Sequence, residues 1–305
     1  PEDIMTDVAT YGVPECGTRF VRQMISDVKP KNFSDLLRIS GYSHGTDVWL
    51  NNAQDLIKNG TPTEDTISTR DDIMNWLINK GMEPSMAFGI MEWARKGKAH
   101  KQGFKAEQEE AFKKANIPEF YIKSCKTLQY LFPKAHAVAY VLSAYRIAYC
   151  KVHHPKEFYS AYFTIRAPKF DFVEVHKGIN FMRSFIKNVG QQGTKASVND
   201  KETATYMELA VEMLARGFEF EDVDLYRSDA HQFIVTDKGL LPPLGAIGGI
   251  GGVAAENIVK ARSKGPFISR EDLRNRAKIS NTAVEVLADL GVLEGLPETD
   301  QIELF

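Results

Sequence analysis

Residues 130–154 read YLFPKAHAVAYVLSAYRIAYCKVHH. Pro133 has no N–H to leave unpaired and a φ already suited to a helix, so the stretch predicts a helix with Pro133 as its first residue. Val138, Val141, Leu142, Tyr145, Ala148 and Val152 then recur at helical spacing on one face. His136, Tyr140 and Ser143 lie roughly opposite. Lys134 and His136 stand in the first turn, where free N–H groups and the positive end of the helix dipole favour an anion. The stretch leaves two readings open: an amphipathic core helix with a basic start, or a cradle for a polyphosphate.

Working outward, Pro155 ends this helix and another begins near Lys156 with Phe158, Tyr159, Tyr162 and Phe163 apolar. Val175, Ile179, Met182, Ile186 and Val189 predict one more continuous helix. Residues 190–205 are polar and read as a loop, and residues 206–216 as a helix stopped by Gly217. Between 218 and 243 the texture changes: Val223, Leu225, Phe233, Ile234 and Val235 surround the turn Asp237-Lys238-Gly239, which predicts a small hairpin. On the other side, residues 1–30 predict a short helix, a Gly/Pro turn and a helix over 18–26. Helices are expected over 34–39, from Asp47 as a cap to Ile57, over 71–78, over 85–95 behind Pro84, and over 106–115. Residues 96–105 read as a polar Lys/Gly loop. The fold class expected is mainly α, multi-helical, with a small β element, followed by a helix–hairpin–helix domain.

Composition is that of a globular chain: 305 residues, 43% hydrophobic, 26% charged. The net charge of -2 hides two basic zones, one over 119–157 with six Lys/Arg against two Glu, the other over 260–278 with seven Lys/Arg. Such zones suit phosphate backbones. Cys16, Cys125 and Cys150 lack metal-ligand spacing and read as reduced thiols, which places the protein in the cytoplasm. No run approaches the ~20 apolar residues of a membrane span. No signal peptide is visible, and a start at Pro1 rather than Met reads as a fragment or a processed piece.

Three constellations carry chemistry. Ile247-Gly248-Gly249-Ile250-Gly251, followed by Ala255, Ile258 and Lys260, fits the turn of a helix–hairpin–helix motif. Its glycines let backbone N–H groups face a phosphate, with Lys260, Arg262 and Lys264 nearby, and such contact reads no sequence. The competing reading is the Gly-rich loop of a dinucleotide fold, but no strong strand precedes Ile247. Ser269-x-x-Asp272 and Ser280 cap two further short helices. In GYSHGTDVW, residues 41–49, Ser43 and His44 sit between glycines and either touch a ligand or satisfy local backbone. The end of the chain, Gln301-Ile302-Glu303-Leu304-Phe305, suits an extended peptide docking apolar side chains in a groove, or is a frayed terminus.

Taken together these stretches resemble one family. FPKAHAVAYVLSAYRIAYCKVHHPKEFYSAYF resembles the fingers helix of the bacterial family C replicative DNA polymerases. VPECGTRFVRQM, SGYSHGTDVWLNNAQDLI and STRDDIM are similar to the PolC-type branch. LLPPLGAIGGIGGVAAENIVKARSKGPF resembles its helix–hairpin–helix domain, and QIELF its clamp-binding tail. The resemblance implies fingers over 1–175, a helical connector with a small β element over 176–240, a helix–hairpin–helix domain over 241–296 and a clamp-binding tail over 297–305. It implies that Lys134 and His136 meet the triphosphate of an incoming dNTP, that Tyr130 and Phe132 lie near its base, and that Ser43 and His44 border the pocket. Lys80 stands where an arginine is expected. Gly249, Gly251, Lys260 and Arg262 are implied in primer-template DNA binding, and Gln301, Ile302, Leu304 and Phe305 in binding the sliding clamp. Other replisome subunits are further implied partners, and a membrane is not.

Nucleotidyl transfer needs carboxylates holding two metal ions ~4 Å apart. No Asp-x-Asp-x-Asp cluster is present, and Asp222 and Asp224 are isolated. Mg2+ is therefore expected on a palm upstream of Pro1, with none held by this chain, which by itself is expected to be inactive. The alternative is a non-catalytic nucleic-acid-binding adaptor that uses the helix–hairpin–helix domain and has no nucleotide pocket.

Overall fold

The computed structural model describes residues 2–299, so residues 301–305 of the expected clamp-binding tail lie outside it. The chain is mainly α, with sixteen α-helices and a small three-stranded sheet among the described residues. It divides into two compact units, residues 10–148 and residues 2–9 with 149–299.

The first unit holds α1 (Arg19–Val28), α2 (Phe33–His44), a π-helical turn (Trp49–Ala53) leading into α3 (Gln54–Lys58), α4 (Arg70–Asn79), α5 (Pro84–Arg95), α6 (Lys98–Gln102), α7 (Ala106–Lys114), α8 (Glu119–Thr127) and most of α9 (Lys134–His153). Local chemistry starts these helices. Thr18 caps α1 by accepting from Val21 N–H, and Asn32 caps α2 by accepting from Asp35 N–H. Glu83 caps α5, with Pro84 in its first turn. The core runs through Met24, Ile39, Tyr42, Ile73, Leu77, Ile90 and Leu128. Trp76 stacks on the buried Tyr121 at 3.8 Å and donates its indole N–H to Asp65 at 2.9 Å.

The second unit holds the last turn of α9, α10 (Pro155–Ile165), α11 (Phe172–His176), α12 (Ile179–Gln192) and α13 (Val198–Ala215). The strands follow: β1 (Glu219–Phe220), β2 (Ile234–Val235) and β3 (Gly239–Leu241). α14 (Gly252–Arg262), α15 (Arg270–Ala277) and α16 (Asn281–Asp289) complete it. The hairpin expected around residue 237 is present as β2 antiparallel to β3, with Val235 opposite Leu240. β1 adds to the other side of β3 in parallel, which a hairpin pattern does not announce. Phe163, Phe170, Phe220 and Phe233 cluster over the sheet at ring distances of 4.9–6.3 Å. On α10, Lys156, Ser160 and Thr164 lie one turn apart and hydrogen-bond the backbone of Thr236 and Phe233, so a polar helix stripe covers the strand's outer edge.

Several expectations are corrected. Residues 2–17 form turns rather than a short helix. α2 runs on to His44, so Ser43 and His44 occupy its last turn and not a loop; Gly45 closes it with an N–H to Gly41. Asp47 takes φ +57° and precedes a π-helical turn instead of capping a helix. α6 interrupts the expected 96–105 loop. The single helix read over 175–189 is broken by Gly178 at φ +94°. The loop read over 190–205 is mostly helix, because Ser197 caps α13 through Asp200 N–H. Pro133 sits just before α9, its carbonyl accepting from Ala137 N–H at 3.2 Å.

The largest correction concerns α9 itself. Its buried side is Ala137, Val141, Ala144 and Lys151, whereas Leu142, Tyr145 and Val152 are exposed. Val141 of the expected apolar face is buried, with Val138 and Ala148 half-buried, but two alanines and Lys151 make up the rest of the packed side, and Tyr140, Ile147 and Tyr149 join the exposed residues. In the last turn, the buried Lys151 ammonium donates to Glu212 of α13 at 2.7 Å and to the Ala9 carbonyl at 3.1 Å. Tyr159 donates to the same carboxylate at 3.2 Å.

Candidate functional site

The entry to α9 is clamped on two sides within the first unit. Thr46 pairs with Tyr130 in an antiparallel bridge and Thr69 with Phe132 in a parallel one. Thr46 N–H donates to the Tyr130 carbonyl at 3.0 Å, and Arg70 N–H to that of Phe132 at 3.3 Å. Gly41 lets α2 approach this clamp, since a Cβ there would lie 2.5 Å from the Ser68 carbonyl oxygen.

Two neighbouring carboxylates then organise the helix start. Asp71 Oδ2 accepts the Lys134 backbone N–H at 2.9 Å, satisfying a donor at the helix end from outside the helix. Asp72 is buried and accepts from Ser68 N–H (3.1 Å), Ser68 Oγ (2.5 Å), Thr69 N–H (2.9 Å) and Lys134 Nζ (3.3 Å), with Arg38 at 3.6 Å. Burial by itself raises the pKa of Asp72, but Arg38, Ser68, Thr69 and Lys134 outweigh it and hold the carboxyl below its ordinary value. Asp72 is thus an anion that aims Lys134. The lysine side chain is 40% exposed, and its ammonium has three donors, of which Asp72 takes one.

Beside this cation lies a group of rings. The Phe132 centroid is 4.8 Å from that of His44, 5.9 Å from His136 and 6.3 Å from Tyr140. His44 is held by Glu15 at 2.6 Å. Tyr130 and Tyr140 are about half exposed, so flat apolar surface is open on the segment that carries Lys134. The structure therefore brings Phe132, His136 and His44 together with Tyr140, while Tyr130 and Lys134 stand on the same segment without a contact to this group. Ser43 turns its hydroxyl back to the Ser40 carbonyl at 2.9 Å. Lys80 follows the far end of α4, about 15 Å along the helix axis from Arg70, and lies over Trp76 at 5.0 Å. It is not brought to this group. Sequence reasoning missed Arg38, Asp71, Asp72, Glu15 and Tyr140 as parts of the arrangement. The available signal was Ser-Thr-x-x-Asp over 68–72, a helix-start pattern whose aspartate reaches beyond its own helix.

These carboxylates do not fit a pair of divalent ions, because both are engaged by Lys134. Among the described residues no three His, Cys, Asp or Glu side chains are grouped as a metal site.

The second candidate is the Gly-rich turn. Gly249 takes φ +92°, Gly251 precedes α14 as its cap, and Gly251 has open space where a Cβ would stand. Val253 in the first turn is 72% exposed. Lys260 is exposed but about 13 Å along the helix from Gly251. Arg262 turns inward and donates to the Leu225 carbonyl at 2.7 Å. The turn therefore presents backbone more than side-chain charge. Residues 301–305 lie outside the described residues, and no helix among the described residues is long and apolar enough to cross a membrane.

Comparison with known proteins joins these regions. Residues 3–117 match the bacterial DNA polymerase III alpha subunit finger domain family, and residues 217–301 match a helix–hairpin–helix motif family. The whole chain is 53% identical over 306 residues to the DNA polymerase III PolC-type of Oceanobacillus iheyensis. It is 52% identical over 305 residues to that of Bacillus subtilis and 50% over 306 to that of Caldanaerobacter subterraneus. In each case all of this chain is covered but only 21–22% of the relative, so the chain spans about a fifth of their length. Ser43, His44 and Lys80 fall within the finger-domain match, while α9 falls between the two matched regions.

Proposed function

This chain belongs to the PolC-type DNA polymerase III family as a segment of such a polymerase, and on that premise we propose that it supplies the fingers and the duplex- and clamp-binding parts of a replicative DNA-directed DNA polymerase. The start of α9 receives the incoming dNTP. Lys134 and His136 meet the triphosphate, and Phe132 with Tyr130 and His44 offers stacking surface to the base. Ser43 borders the pocket through its backbone. The turn at Gly249 and Gly251 holds the primer-template backbone without reading sequence, with Lys260 adding charge along α14. Arg262 fixes α14 to the preceding segment. The other replisome subunits and a cytoplasmic location follow from the same reading.

The observation that carries the nucleotide reading is the ionised, buried Asp72 holding a part-exposed Lys134 at the start of the helix whose entry also carries the Phe132, His44, His136 and Tyr140 ring group. A lysine serving only its own fold would not need to keep 40% of its side chain in solvent with two further donors to offer. Mg2+ supplies the charge that stabilises phosphoryl transfer. Since the residues here do not fit it, its carboxylates belong to a palm elsewhere in the full-length polymerase, and the chain alone is expected to incorporate no nucleotide. The experiment is amine acylation of the full-length polymerase with and without saturating dNTP. Protection of Lys134 but not of Lys80 is expected; equal labelling of Lys134 in both states refutes the nucleotide site.

Gln301, Ile302, Leu304 and Phe305 dock on the sliding clamp. Burying apolar side chains of this kind yields roughly 1.5–3 kcal/mol each, and ordering a free peptide offsets part of it, so the tail alone binds in about the micromolar range. Deletion of the five residues is expected to abolish clamp binding while leaving basal duplex affinity intact. Undiminished clamp binding would refute the assignment.

A further inference from the structure

The side chain that grips the Gly-rich turn comes from outside the motif. Asp171 caps α11, its Oδ1 accepting the Val173 N–H at 2.9 Å. The same oxygen accepts the Gly248 N–H at 3.0 Å, across 77 residues of sequence. The approach is close: a Cβ on Gly248 would lie against Asp171 Oδ2 and 2.9 Å from its Cγ. Gly248 is therefore a glycine because a carboxylate occupies the place of its side chain. Next to it, Ile247 and Ile250 are buried and fix the turn from below, while Gly249 and Gly251 face outward. Asp171 lies outside the matched helix–hairpin–helix residues, 217–301.

We propose that Asp171 is a positioning residue for the duplex contact: by holding the amide one residue before Gly249, it sets the direction of the backbone N–H groups that follow. The inference rests on the reading of this turn as a phosphate-binding element. The carboxylate has two opposing effects. Its charge repels a nearby phosphate, and its grip holds the turn in the binding shape. Two neutral variants separate them. Asp171→Asn keeps an oxygen that reaches Gly248 and keeps the cap on α11. Asp171→Ser keeps the cap, since serine is an equally good cap residue, but is too short to reach Gly248.

The test measures affinity of the 305-residue chain, and in parallel of the full-length polymerase, for a short duplex as a function of salt, with a thermal melt of each variant. The Asn variant is expected to bind as the natural protein does or somewhat more tightly. The Ser variant is expected to melt with the Asn variant but to bind duplex about three- to tenfold more weakly, the loss of one positioned hydrogen bond. Gly248→Ala is expected to weaken binding in the natural background and to cost no more in the Ser background, where the space is vacated. If the Ser and Asn variants bind equally, the positioning role is wrong and the hairpin reading stands. If the natural protein shows no salt-dependent duplex binding, or Gly249→Val and Gly251→Val change nothing, the hairpin reading itself falls, and this inference with it.

Discussion

Asp72 shows how much one residue can decide. It joins the start of α4 to Arg38 of α2 and to Lys134 of α9, and it does so as a buried anion. Removing Asp72 leaves Arg38 with only the Thr66 and Glu64 carbonyls and Lys134 with solvent, so the cost is that of several lost charge-assisted hydrogen bonds, about 2–3 kcal/mol. Asp72→Ala is therefore expected to lower stability by about that amount, read from denaturant midpoints. The pH dependence has a definite sign. The folded pKa lies below the ordinary value of 3.8, so the stabilisation is present above that value and is lost as pH falls through the lower, folded one. Between about pH 5 and about pH 3 the natural protein should lose stability more steeply than Asp72→Asn. Equal acid limbs would show that Asp72 is not held as an anion. None of this partnership is legible in the order of residues, because Arg38, Asp72 and Lys134 meet only through the fold.

At the scale of elements, helices with a side-chain cap or a proline at the start were legible: α5 behind Pro84, α10 behind Pro155, α15 behind Ser269 and α16 behind Ser280. Boundaries differ where a polar run suggests a loop and the chain is helical, as at α6 and the first turns of α13. There propensity and one cap outweigh the lack of an apolar stripe. On α9 the expected face is half right: Val141 is buried, but Leu142, Tyr145 and Val152 are exposed, since hydrophobic spacing cannot tell packed alanines from large side chains kept outward. What anchors its last turn is instead the buried pair Lys151–Glu212. Glu212→Ala removes the carboxylate that neutralises the buried Lys151 ammonium, leaving it the Ala9 carbonyl as a neutral acceptor, and is expected to destabilise the chain by about 3 kcal/mol. Glu212→Gln, which keeps the shape and one of the two acceptor oxygens, should cost less. A thermal melt compares them, and equal melting of the natural protein and Glu212→Ala would show that the pair does not hold the helix.

For the whole molecule, the class of fold, the Gly-rich turn and the cationic helix start were all present in the sequence, while the carboxylates that position them were not. Asp72 aims Lys134 and Asp171 grips Gly248, each from another element. The account stands or falls on whether that aimed lysine serves a nucleotide. The decisive measurement is single-turnover incorporation by the full-length polymerase carrying Lys134→Ala, with dNTP concentration varied and duplex affinity measured alongside. A charge-assisted contact is worth roughly 1.5–3 kcal/mol, so the efficiency of dNTP use should fall by about ten- to a hundredfold with duplex affinity unchanged. Nucleotide kinetics identical to those of the natural polymerase would contradict the account.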